Sequence, residues 1–231
     1  MATPQATIER LPAGTGTGAA APARPAGPEG ERRDIVRAAR TVLAREGWRH
    51  CTAEATAAEA GVEPAAVGRH FPDHERLLLG VLLDSAASVA ASLGAVAESY
   101  LAEIHDLRQD LIALGRAWLA PLEAFREHFA IVRHISAEVT HLPAEAVDKW
   151  QATGPRQARR ELARRLRQVA AEGLLDIADA DQAAERFILL VPSSVVQRSF
   201  HGALPLGRAE EDALIADGVD DFIRLYGPAS R

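Results

Sequence analysis

Residues Cys51 to Phe71 read CTAEATAAEAGVEPAAVGRHF, and the fold turns on how they divide. Two short alanine-rich helical runs flank Ala60-Gly61-Val62, and Pro64 sits just inside the second. A glycine after one helix and a proline at the first position of the next are the local chemistry of a tight turn. Thr52 is placed to cap the first run through its hydroxyl. Two helices joined this way form a helix-turn-helix, whose second member can enter a DNA major groove. Phe71 closes that second helix, and Asp73 opens a long run through Leu77, Leu78, Val81 and Leu82.

Upstream, Ile35, Ala38, Ala39, Val42 and Leu43 recur at helical spacing, which leaves Arg32, Arg33, Arg37 and Arg40 on other faces. Gly47 and Trp48 end this helix. The spacing predicts helices over Arg32–Glu46, Ala53–Ala60 and Pro64–His70, and a fourth from Asp73 past Ala90. A helix, Gly47-Trp48, Thr52, Ala57, Ala60-Gly61-Val62, Val67, His70-Phe71 and an acid before paired leucines together resemble the DNA-binding domain of the TetR family of bacterial regulators. The resemblance implies that Pro64, Ala65, Ala66, Arg69 and His70 face the groove, with Thr52 at a phosphate. Arg69 is then the candidate for a guanine hydrogen-bond pair, while the alanines offer methyl contacts. Two further DNA-facing positions depart from the family's habit. Gly68 stands where a tyrosine is common, and His74 where a lysine is common. Glu63 brings a negative charge to the cap position, so all three changes weaken phosphate affinity.

The charge balance gives the DNA reading little help. Net charge is −6, which argues against a protein that coats nucleic acid nonspecifically. From Glu31 to Arg76 eight arginines meet eight acids, so groove affinity calls for arginines on one side and acids on the other. The one cysteine, Cys51, reads as a buried inert thiol in a reducing compartment. No long uncharged apolar run suggests a membrane span, and the start lacks a signal peptide's basic and apolar regions. A cytoplasmic protein is expected.

Residues Met1 to Gly30, rich in Ala, Pro, Gly and Thr, read as a disordered arm carrying Arg10 and Arg24. Beyond Gly94 further helices are expected over Ala97–Leu119, Leu122–His141 and Ala144–Trp150. After Gly154-Pro155 an amphipathic helix puts Ala158, Leu162, Leu166 and Val169 inward and Arg159, Arg160, Arg164, Arg165 and Arg167 outward. Asp179 and Gln182 have the spacing of a capping box. The run from Ala183 to Phe200 is apolar on more than one face, including Phe187, Val191 and Val195. The terminal helix repeats Ile215, Val219, Phe222, Ile223 and Tyr226. A helix apolar all round is buried on both sides, and these two sets predict a two-fold, four-helix interface in a homodimer.

The body is similar to the AefR-like C-terminal domain of the same family. The residues that carry this are Glu127-His-Phe129, Arg133, Glu138, Gly173-Leu174-Leu175, Asp179, Ala183-Ala184, Asp221-Phe222 and Tyr226-Gly227-Pro228. The resemblance implies a small-molecule effector pocket, for which Trp118, Phe125, His128, Phe129 and Arg133 combine aromatic area with a few polar groups. His134, Glu138 and His141 share a helix face, yet a polar stripe explains them better than a metal, and no cofactor is expected. No phosphate-cradling glycine loop, nucleophile elbow or His-Glu-x-x-His motif is present, so no enzyme is read here. The sequence thus predicts an all-α protein with a helix-turn-helix head over 31–78 and a helical effector-binding and dimerisation body over 79–231. It reads as a homodimeric, ligand-responsive repressor of a pseudo-palindromic double-stranded operator, released when an effector swings the fourth helix. The alternative is a dimer of this fold that binds ligand or protein and has weak or lost operator affinity.

Overall fold

Local chemistry places each early helix boundary in the computed structural model, which describes residues 27–228. The first helix, α1 (Gly27–Glu46), takes in the last four residues of the expected arm, and its Gly30 is already buried. The rest of the arm, with Arg10 and Arg24, lies outside the described residues. A single 3-10 turn, Trp48–His50, leads to α2 (Ala53–Ala60). Thr52 caps α2, its Oγ1 accepting the Ala55 N–H at 3.2 Å. Gly61 stops α2 in the left-handed region at φ 67, and the Val62 N–H returns to the Ala57 carbonyl at 3.0 Å. Pro64 then opens α3 (Pro64–His70) at a position that needs no N–H.

Asp73 caps α4 (His74–Tyr100), accepting the Arg76 N–H at 2.8 Å. This helix runs straight through Gly94, where a new one was expected within three residues. A single interior glycine costs only about 1 kcal/mol of helix propensity, and the packing of α4 on later helices of the body outweighs it. By length and composition α4 could cross a membrane. Its buried face, from Leu77 to Ala97, instead packs against helices on several sides.

The body continues through α5 (Leu107–Leu119), α6 (Pro121–Ala124) and α7 (Arg126–Glu138), then a 3-10 turn at Val139–His141. The expected helix from Leu122 to His141 is therefore broken at Phe125, which has φ −120 and ψ 47. Next come α8 (Ala144–Thr153), α9 (Pro155–Ala171), α10 (Ala180–Leu190), α11 (Pro192–Arg198) and α12 (Arg208–Tyr226). Asp179 caps α10, accepting from Asp181 and Gln182. The run expected from Ala183 to Phe200 divides at Val191, because Pro192 can donate no helical hydrogen bond. No strand occurs among the described residues.

Two apolar cores result. One joins α1, α2, α3 and the start of α4, and takes in Ile131 and Ile135 from α7. The other fills the body between α4, α5 and α9 to α12. Cys51 is wholly buried in the first, its thiol donating to the Ala39 carbonyl at 3.3 Å. Desolvation pushes that thiol up to about 11, which makes it unreactive near neutral pH.

The second core corrects the interface expectation. Phe187, Val191, Ile215, Val219 and Phe222 are wholly buried within one protomer, Val195 and Tyr226 nearly so, and Ile223 packs beside them. Gly218 is the reason: without a Cβ, α12 comes against the Leu190 carbonyl backbone, and the two helices close on each other. Phe187 and Phe222 then meet edge to face at 5.3 Å. Arg165 is a second correction. It was expected to face outward, but its side chain is 14% exposed and pairs with Glu98 of α4.

Candidate nucleic-acid interface

The outer side of α3 presents Pro64, Ala65, Gly68 and Arg69 to solvent. Ala66, expected on that side, is buried beside Val67, because a seven-residue helix must turn one side inward to hold its place. His70 is also corrected. Its side chain is 15% exposed and its Nε2 sits 2.8 Å from Glu31 Oε2, so the ring is spent on α1. The Arg69 Nη2 reaches both oxygens of the same carboxylate at 3.3 Å. His70 and Arg69 together hold the Glu31 carboxyl below its ordinary range, against the opposing effect of burial. Arg32 lies 5.1 Å over the Phe71 ring and braces the C-terminus of α3 from α1.

Around this edge the charges interleave; they do not segregate by sign. Arg37 pairs with Asp34 at 3.0 Å, Arg45 with Glu46 and Glu59 at 2.9 and 3.2 Å, and Arg76 with Asp73 at 3.5 Å. Among the described residues, Arg33 and Arg49 are the head arginines with neither an ion pair nor a ring contact. Thr52 uses its oxygen as an acceptor in the cap, which leaves its O–H free to donate. His74 is exposed, edge-on to Trp48 at 6.1 Å. Glu63 is exposed and makes no side-chain cap. A Cβ on Gly68 would meet nothing within 4 Å, so no packing demand put a glycine there. Glu31 is the participant that sequence spacing missed. It lies 38 residues from Arg69 and no local periodicity connects them.

In the body, the five expected pocket residues do not converge. Trp118 is buried in the core, and Phe129 packs edge-on to His128 at 5.0 Å. Phe125 and His128 border a cleft of about 380 Å³ that also meets Arg40, Ser85 and Glu127. His128 Nδ1 lies 3.1 Å from Ser85 Oγ; burial, helped by the Arg40 charge, pushes the imidazole down to about 4. Arg133 borders a different cleft, of about 670 Å³, between the α5–α7 side and the α11–α12 side. Of the His134, Glu138 and His141 trio, the side chains of Glu138 and His141 lie outside the described residues. Among the described residues no cluster could hold a metal.

A helix-turn-helix head on a larger helical body defines the class of a DNA-binding regulator. The sequence profile of the bacterial regulatory proteins of the tetR family matches residues 35–81, and that of the AefR-like transcriptional repressor C-terminal domain matches residues 109–228. The chain is 28% identical over 207 residues to the HTH-type transcriptional regulator BetI of Rhizobium meliloti (strain 1021), covering 85% of this chain and 91% of that one. It superposes on a regulator of the TetR family from Mesorhizobium loti MAFF303099 with TM-score 0.79 at 23% identity, covering 87% of this chain and 98% of that one. It superposes on the flavonoid-responsive regulator FrrA with TM-score 0.65, again at 23% identity with 87% and 98% covered. The protein belongs to the TetR family of transcriptional regulators.

Proposed function

We propose that this regulator is a cytoplasmic homodimeric repressor that leaves a pseudo-palindromic operator when a small molecule binds its body. The observation that carries the reading is the uncovered edge of α3, where Pro64, Ala65, Gly68 and Arg69 lie open while Ala66 and Val67 anchor the helix. Thr52, exposed and with a free O–H, can donate a hydrogen bond to a phosphate oxygen. Four of the six large apolar side chains left exposed among the described residues are Leu189, Phe200, Leu204 and Leu225. They support a dimer contact over the outer faces of α10 and α12 and the connector between α11 and α12. The inward side chains named from the sequence are not part of it. The BetI similarity supports the operator, and the likeness to the flavonoid-responsive FrrA supports the effector.

A second reading rests on the Glu31 carboxylate. It competes with phosphate for Arg69, and with Gly68, His74 and Glu63 it favours a ligand- or protein-binding dimer with feeble operator affinity. Selection of bound duplexes from a random pool, followed by titration across salt, separates the two. A repressor enriches one palindromic sequence and binds it at least about a thousandfold better than random DNA, with a negative log–log salt slope. Equal, weak binding to both pools establishes the second reading.

A further inference from the structure

The cleft of about 670 Å³ falls in the range of small-molecule sites, and its walls are mixed. Leu119, Leu122, Val195 and Leu206 give it an apolar lining, and three guanidinium groups, Arg116, Arg126 and Arg133, border it with two carboxylates, Glu123 and Glu211. Two of the three are already matched: Arg116 pairs with Asp212 at 2.8 Å and Arg126 with Glu123 at 2.7 Å. Arg133 differs. It is half-buried, no described carboxylate pairs with it, and its Nη1 donates to the His201 backbone carbonyl at 2.9 Å. A guanidinium has five N–H donors, so most of its capacity is unspent, and a partly desolvated charge without a counter-charge is costly.

The backbone opposite Arg133 is strained. Phe200 and His201 lie in the left-handed region at φ 49 and 53, followed by Gly202 at φ 78. Ser199 Oγ fixes this turn by accepting the Gly202 N–H at 3.0 Å. Two consecutive non-glycine residues in that region persist only where their surroundings hold them, and such strain gathers at ligand clamps. The His201 imidazole is pushed down from its ordinary value, first by burial and then by the Arg133 charge. It therefore adds no second positive charge and can offer an N–H or a lone pair.

We propose that this cleft binds an organic carboxylate with an apolar body, the carboxylate taking a two-pronged hydrogen bond from Arg133 and the body lying along Leu119, Leu122 and Leu206. The proposal rests on the effector reading above and specifies its chemistry. It also gives the signal a short path. The helix that carries Arg133, α7, puts Ile131 and Ile135 into the head core, and its Glu127 accepts from Arg40 and Thr41 of α1, each at 2.9 Å. An anion that draws Arg133 off the His201 carbonyl loads a helix already fastened to the head.

The test is calorimetric titration and thermal melting of the full chain with benzoate, cinnamate and octanoate against benzamide, cinnamamide and octanamide. Acetate and inorganic phosphate serve as anions without an apolar body. The acids should raise the melting midpoint by about 3 °C or more at saturation, and the amides, acetate and phosphate should not. Arg133→Gln should weaken acid binding at least about tenfold, Arg133→Lys less, and Ala203→Trp, at the exposed rim, should block it. Circular dichroism of the ligand-free variants confirms that each is folded. Amides binding as well as acids, acetate or phosphate binding as well as benzoate, or acid binding that survives both Arg133→Gln and Ala203→Trp overturns the proposal. Its failure is separable from that of the repressor reading. Operator binding without acid binding sinks only the carboxylate site, and acid binding without operator selectivity sinks only the repressor.

Discussion

The edge of the head at α3 and the cleft of the body hold one arginine each, Arg69 and Arg133, in opposite ways. In the head, Arg37, Arg45, Arg69 and Arg76 each rest on a carboxylate of the same domain. In the body cleft, Arg133 has only a backbone carbonyl among the described residues. A guanidinium on a carboxylate must be pulled away before it can serve a phosphate, and exposed pairs of this kind are individually weak. The head's cations are therefore available at a modest cost, which leaves selectivity to the shape and edge of α3. The cleft's cation needs no such exchange and stands ready for an anion.

The seam between these regions carries the largest expected effect. His128 sits on α7 against Ser85 and near Arg40, buried and neutral. Its folded value of about 4 lies below the ordinary 6.5, so the unfolded chain takes up this proton first as pH falls. The stability it contributes is complete above pH 6.5 and is lost as pH drops toward 4, a difference of about 3 kcal/mol. Urea unfolding at pH 7, 5.5 and 4.5 should show that slope flattened in His128→Gln relative to the parent. An unchanged slope would mean that the seam does not hold the imidazole dry.

The comparison itself is tested next by exchanging loads. Arg69→Ala should lower affinity for the selected operator by about 10- to 100-fold, while Arg133→Gln, which removes only the bond to the His201 carbonyl, should change the ligand-free protein's affinity far less. Equal losses in fluorescence anisotropy titrations would erase the distinction between the two arginines. A smaller change sharpens it. Glu31→Gln removes the competitor for Arg69 and should raise operator affinity by up to about fivefold, with a salt slope steeper by about one ion. Reduced affinity would show that Glu31 positions α3 and does not compete for Arg69. Smallest is Gly68→Ala, whose methyl enters open space and should stabilise the head by about 0.5–1 kcal/mol in thermal or urea melts.

What could be read from the chain follows from where the information lies. The turn from Thr52 to Phe71 was legible because cap, left-handed glycine and helix-opening proline act within a few residues of one another. The all-helical class was legible for the same reason. The role of Gly218 was not, since a glycine that ends a helix and one that admits a neighbour look alike until the neighbour is placed. The apolar spacing of α10 and α12 correctly marked buried faces, but could not say whether the burying partner was the same chain or a second copy. Ala66 was misplaced because α3 has so few residues that one position decides between groove and core. The Glu31 clamp and the cleft of Arg133 join segments far apart in sequence, and no periodicity reports on them.

One measurement bears most directly on the central idea, that the open edge of α3 lies against base edges. With Cys51 buried and its thiol near 11, a Gly68→Cys variant offers a single reactive thiol at neutral pH for a short photo-crosslinker. An Ala213→Cys variant, at an exposed position near the start of α12 and labelled in the same way, is the control. Irradiation with the selected operator should join position 68 to bases inside each half-site, in competition with unlabelled operator, and position 213 to none. Crosslinks from 68 that ignore the operator sequence, or that match those from 213, would contradict it.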